Sequence, residues 1–137
     1  MKKTIPFEIF GANQSIYFDI LRLAELEKAL GCSINDIIQR QDAGVHFCLA
    51  ALPIGMKQHY HKPTAAFFAE KIEEHLATEG ASLDDIAVPI VKAILASGIF
   101  GKEVADRAIS VDGELDEEDE ETDPTPKNVK KETAAKK

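Results

Sequence analysis

The sequence predicts a mainly α fold: a small bundle of about five to six helices, opened by an N-terminal β-hairpin and followed by a disordered C-terminal tail. Three observations predict it. Apolar residues recur at three- and four-residue spacing, as they do along one face of a helix. Ser, Thr and Asp stand before these stretches, and Gly stands after them, where helices start and stop. Beyond Val111 only Leu115 and Val129 remain of the Leu, Ile, Val and Phe residues, so the end of the chain cannot build a core. The 137 residues suit one domain, placed at 1–110, with 111–137 as an acidic and then Lys-rich tail.

The elements follow in order. Residues 5–10 and 16–18 are rich in aromatic and β-branched side chains and flank Gly11-Ala12-Asn13-Gln14-Ser15, which reads as a hairpin. Pro6 is tolerated at its edge, and two strands alone are marginal, so the hairpin must pack on helices. A first helix spans 19–30, capped by Asp19 and stopped by Gly31. Leu26, Leu30, Leu23, Ile20 and Ala24 form its apolar stripe, and Glu27 falls inside that stripe. Two readings of Glu27 stand side by side: a long side chain reaching sideways to water, or a structural carboxylate accepting backbone N–H groups at the start of the next helix.

That next helix begins at Ser33 or Asn35 and runs through Arg40. A third, residues 45–52, is apolar on most faces, and Pro53 is expected to end it and open an irregular stretch through Pro63. Thr64 caps a fourth helix to about Thr78, with Phe68, Ile72 and Leu76 on one face and Glu70, Lys71, Glu73 and Glu74 outward. Ser82 and Asp85 resemble a capping box for a fifth helix over 83–97, apolar nearly all round and expected to be central. Pro89 either kinks it or opens its first full turn. Gly98 and Gly101 close it, and residues 102–109 add one or two turns.

The formal charge of −8 is uneven. Residues 112–137 carry ten acids and five lysines; residues 1–111 carry fourteen acids and eleven Lys and Arg. An acidic chain without a basic block does not grip phosphate backbones, so nucleic acid is not expected as a partner. No apolar run is long enough to span a membrane, and no signal-peptide pattern opens the chain. With Cys32 and Cys48 read as reduced thiols, the expected location is the cytoplasm.

Chemistry finds little purchase. His46 with Cys48, and His59 with His61, match no structural zinc spacing. Residues two apart on a helix point to opposite sides, so His46 and Cys48 do not converge. Phosphate-cradling glycine loops, G-x-S-x-G and H-E-x-x-H are all absent. The expectation is a binding protein without catalytic residues, metal or cofactor. Nine of the twelve residues 112–123 are acidic, and Asp116, Glu117, Glu118, Asp119, Glu120 and Glu121 are candidate contacts for a basic partner if the run is more than a solubilising tail. Phe67, outside the stripe of the fourth helix, is a candidate apolar contact, or else packs on a neighbouring helix.

Four features resemble the tail assembly chaperones of long-tailed bacteriophages and prophages. They are the opening hairpin; Leu23-Ala24-Glu25-Leu26-Glu27-Lys28-Ala29-Leu30-Gly31, similar to the family's L-x-x-L-E-x-x-x-G helix; the short helix at Ser33-Ile34-Asn35-Asp36-Ile37; and Ile54-Gly55-Met56-Lys57 with Thr64 ahead of a helix. The resemblance covers roughly residues 4–100, with Glu27 at the family's acidic position. Two departures lie at Pro53, where the family usually continues a helix, and at His59-Tyr60-His61-Lys62-Pro63. The resemblance implies a protein that binds the tape-measure protein and recruits major tail tube subunits during tail morphogenesis. It also implies a C-terminal tail suited to act as a linker where a ribosomal frameshift adds a second domain. Small chaperones of this sort form rings or spirals, so a homo-oligomer stays open. The alternative, from another class, is a helical adaptor or regulator that binds a basic host protein through its acidic tail.

Overall fold

A computed structural model of the chain describes residues 3–110. Among them are two short strands, β1 (Ile5–Pro6) and β2 (Ser15–Ile16), and six helices. The helices are α1 (Ile20–Leu30), α2 (Ile34–Arg40), α3 (Val45–Gly55), α4 (Ala65–Leu76), α5 (Asp84–Ala96) and α6 (Lys102–Ser110). The chain divides after Ala105 into two units. The first holds every element up to α6; of the second only the continuation of α6 is described. The tail expected over 111–137 lies outside the described residues.

The hairpin is shorter than its apolar runs. Ile5 pairs with Ile16 and Pro6 with Ser15, antiparallel. Pro6 has no N–H to extend the ladder. The chain then bends, and Glu8 Oε2 accepts the N–H of Asn13, whose φ of 63° makes the turn. The hairpin packs on α5, burying Ile5 and Ile16.

Local signals set most helix ends. Asp19 caps α1 through Arg22, Ser33 caps α2 through Asp36, and Thr64 caps α4 through Phe67. Gly31 ends α1 at φ 79°, a left-handed conformation that suits glycine. The stripe expected on α1 is narrower than its pattern. Leu23 and Leu26 are buried, Leu30 is half-buried, and Ile20 and Ala24 are exposed. The reason is that α1 packs chiefly on α3, whose contact covers one side of its face.

Pro53 does not end α3, which continues to Gly55. Proline removes one hydrogen bond from the helix, but three contacts hold the turn beyond it. Leu52 and Met56 are fully buried, Met56 N–H donates to the Leu52 carbonyl at 3.0 Å, and Tyr17 N–H donates to the Gly55 carbonyl at 2.9 Å. Glycine is required here, because a Cβ at position 55 would sit 2.9 Å from Ile16 and Phe18 side-chain atoms. α5 likewise runs through Pro89 as one helix. The hub of the first unit is α3, which packs on α1, α4 and α5, while α5 packs on α3 and both strands. An apolar helix between neighbours on several sides has no polar face to show to water.

Candidate functional site

Two polar constellations stand out against the apolar core. The first is the α1–α2 corner. Gly31 N–H donates to the Glu27 carbonyl at 2.8 Å, and its left-handed backbone turns the chain back. The Glu27 carboxylate then accepts the N–H of Ile34, the first residue of α2, at 2.8 Å. Together with Ser33, it satisfies two of the N-terminal N–H groups of α2, and it places negative charge at the positive end of the helix. Glu27 itself is solvent-exposed, so reaching water and accepting an N–H are compatible.

The second is the loop after α3. Gln58 Nε2 donates to the Ser15 carbonyl at 3.0 Å, and Tyr60 Oη donates to Gln14 Oε1 at 3.1 Å. Ser15 N–H donates to His59 Nε2 at 2.9 Å, and the Ser15 hydroxyl lies 3.3 Å from the same nitrogen. A backbone N–H can only donate, so Nε2 carries a lone pair and the imidazole proton sits on Nδ1. Arg22 of α1 ties in through Nη1, donating to Gln58 Oε1 at 2.8 Å and to the Tyr17 carbonyl at 3.1 Å. Lys57 bridges to Glu25 at 2.7 Å. The loop walls an open depression of about 510 Å³ that also takes in Pro53 and Pro63.

Beneath this loop lies an aromatic cluster. Phe67 is half-buried, its ring 5.1 Å from both Tyr60 and Phe68, with Lys71 Nζ 5.5 Å above it. It packs on its neighbours rather than standing free. Asp116, Glu117, Glu118, Asp119, Glu120 and Glu121 lie outside the described residues.

Of the remaining reactive groups, Cys48 and Asp85 are tied into the structure. Cys48 is fully buried, and burial, with Asp84 adding to it, pushes its thiol up to about 11. His46, on the same helix, is exposed. Asp85 Oδ2 takes hydrogen bonds from His75 Nε2 at 2.9 Å and Ser82 N–H at 3.0 Å, and these hold its carboxyl below the ordinary value. Cys32 lies in a small cleft near Arg40, whose Nη2 is 3.9 Å from the sulfur. No helix among the described residues is long and apolar enough to cross a membrane.

Sequence reasoning singled out Glu27 from its angle on the helix. The roles of His59 and Tyr60 left one signal in the sequence, the unusual His-Tyr-His-Lys-Pro string, and that of Gln58 left none. No protein family, curated protein or solved structure matches the chain.

Proposed function

We propose that this chain is a tail assembly chaperone of the long-tailed phage type, acting in the host cytoplasm on the tape-measure protein and the major tail tube protein. The observation that carries the reading is the α1–α2 corner. The Leu-x-x-Leu-Glu-x-x-x-Gly string places a carboxylate within 2.8 Å of the first N–H of α2, and Gly31 takes the left-handed turn between them. This gives the acidic residue and the glycine of the family-like string a joint structural task. The hairpin and helix order agree with the same reading.

A tape-measure chain is long and helical, with apolar stretches that aggregate unless covered. The first turn of α1 offers a partner for such a segment. Ile20 is 68% exposed and Leu21 75% exposed, and Ala24 is exposed one turn on. These residues lie within about 100° of one another around the helix. An amphipathic helix laid along that edge covers them by the usual helix-to-groove contacts.

A binding assay with purified tape-measure fragments tests the proposal. Leu21→Asp is expected to weaken binding at least tenfold while leaving the helical spectrum unchanged. Deletion of 112–137 is expected to leave most of the binding in place. If binding instead disappears with the tail and tolerates Leu21→Asp, the adaptor reading takes over. The nine acids among residues 112–123 favour that second reading.

A further inference from the structure

The charges of this chain are segregated, and the basic side of that segregation enters neither reading above. Residues 43–69 contain no Asp or Glu, yet hold Lys57, Lys62, His46, His59 and His61. Residues 112–123 contain nine acids and no Lys or Arg. The acid-free stretch folds so that Lys57, His59, His61 and Lys62, but not His46, wall the open depression of about 510 Å³.

Three features make that depression a prepared acceptor for anionic chain. Its wall is fixed, because Gln58, His59 and Tyr60 are each hydrogen-bonded to the hairpin. Apart from Lys57, which is paired with Glu25 at 2.7 Å, its donors are exposed or directed. His59 must carry its proton on Nδ1, since Nε2 accepts from Ser15, and His61 and Lys62 enter no hydrogen bond or ion pair among the described residues. Finally, Lys62 is held at φ 47°. This left-handed conformation is uncommon for a residue with a Cβ, and such strain clusters at functional positions. An exposed, unpaired and strained lysine beside two histidines contributes nothing evident to packing.

We propose that the depression lined by Lys57, His59, Tyr60, His61 and Lys62 receives the acidic run of residues 112–123 from a second copy of the chain. The two segments are complementary in charge, one without acids and the other without bases. The acidic run holds a single large apolar residue, Leu115, so it suits an open and polar cleft better than a buried one. Contacts of this kind are weak singly and gain strength when several copies are held side by side.

The test is sedimentation equilibrium of the full chain, alone, at about 25 mM and about 500 mM NaCl, a range over which exposed charges go from weakly to strongly screened. The expected result is concentration-dependent self-association at low salt that disperses at high salt. Lys62→Gly relieves the backbone strain and removes the charge, so it folds at least as well as the parent and is expected to associate roughly fivefold more weakly, the upper range for one exposed ion pair. Changing Asp116, Glu117, Glu118, Asp119, Glu120 and Glu121 to their amides is expected to abolish association. A monomer at both salt concentrations overturns the proposal. So does association that ignores Lys62→Gly, or that survives in the amide variant. No tape-measure protein is present, so the outcome is independent of the function proposed above.

Discussion

Glu27 serves two helices at once: its carbonyl accepts Gly31 at the end of α1, and its carboxylate accepts Ile34 at the start of α2. Glu27→Ala leaves that N–H without its acceptor and is expected to cost about 1 kcal/mol, as for loss of a helix cap. Glu27→Gln keeps an acceptor oxygen and is expected to cost less. Urea denaturation of the two variants measures the difference, and a loss below about 0.3 kcal/mol in Glu27→Ala would show that the bond has no structural weight. This residue was legible in the sequence because a charge inside an apolar stripe needs a reason. His59 was not, because its partner Ser15 lies 44 positions away and a backbone N–H donor leaves no trace in composition.

At the scale of elements, the ends of helices were easier to read than their interiors. Asp19, Gly31, Ser33 and Thr64 act through neighbours a few residues away, and the structure places each at a helix end. Pro53 misled because its local preference is overridden by burial of Leu52 and Met56 and by the bond between Tyr17 and Gly55. The close approach at Gly55 was equally hidden, since it depends on where β2 lands. Gly55→Ala forces a methyl within 2.9 Å of Ile16 and Phe18 and is expected to destabilise the fold by about 1–3 kcal/mol, read as a lower thermal midpoint. An unchanged midpoint would mean that the β2–α3 contact is loose.

The start of α5 carries a pH dependence of known sign. His75 and Ser82 hold the Asp85 carboxyl below its ordinary value of 3.8, so the folded state favours the carboxylate. Its contribution is complete above that value and is lost as the pH falls through the lower, folded one. Acid titration followed by circular dichroism is expected to show a smaller loss of stability below pH of about 4 in Asp85→Asn than in the parent. Identical acid limbs would remove Asp85 from the account.

For the whole molecule, the six helices and the opening hairpin were foreseeable from periodicity and turn residues. The place at the centre, expected for α5, falls to α3. Both α3 and α5 are strongly apolar, and only the packing shows that α3 touches α1, α4 and α5 while α5 is shared with the strands. The exposed edge formed by Ile20 and Leu21 was hidden for a related reason: in sequence Ile20 belongs to the same stripe as Leu23 and Leu26, and only the packing of α1 on α3 shows that it is left outside. Under the proposed function, that edge is the surface offered to another chain.

The most direct measurement of the central claim is coexpression of the full chain with a tape-measure protein from the same genome, followed by separation of soluble and insoluble fractions and copurification. The proposed function predicts that the tape-measure protein moves into the soluble fraction and copurifies with this chain. A tape-measure protein that stays insoluble and unbound in the presence of excess chain contradicts it.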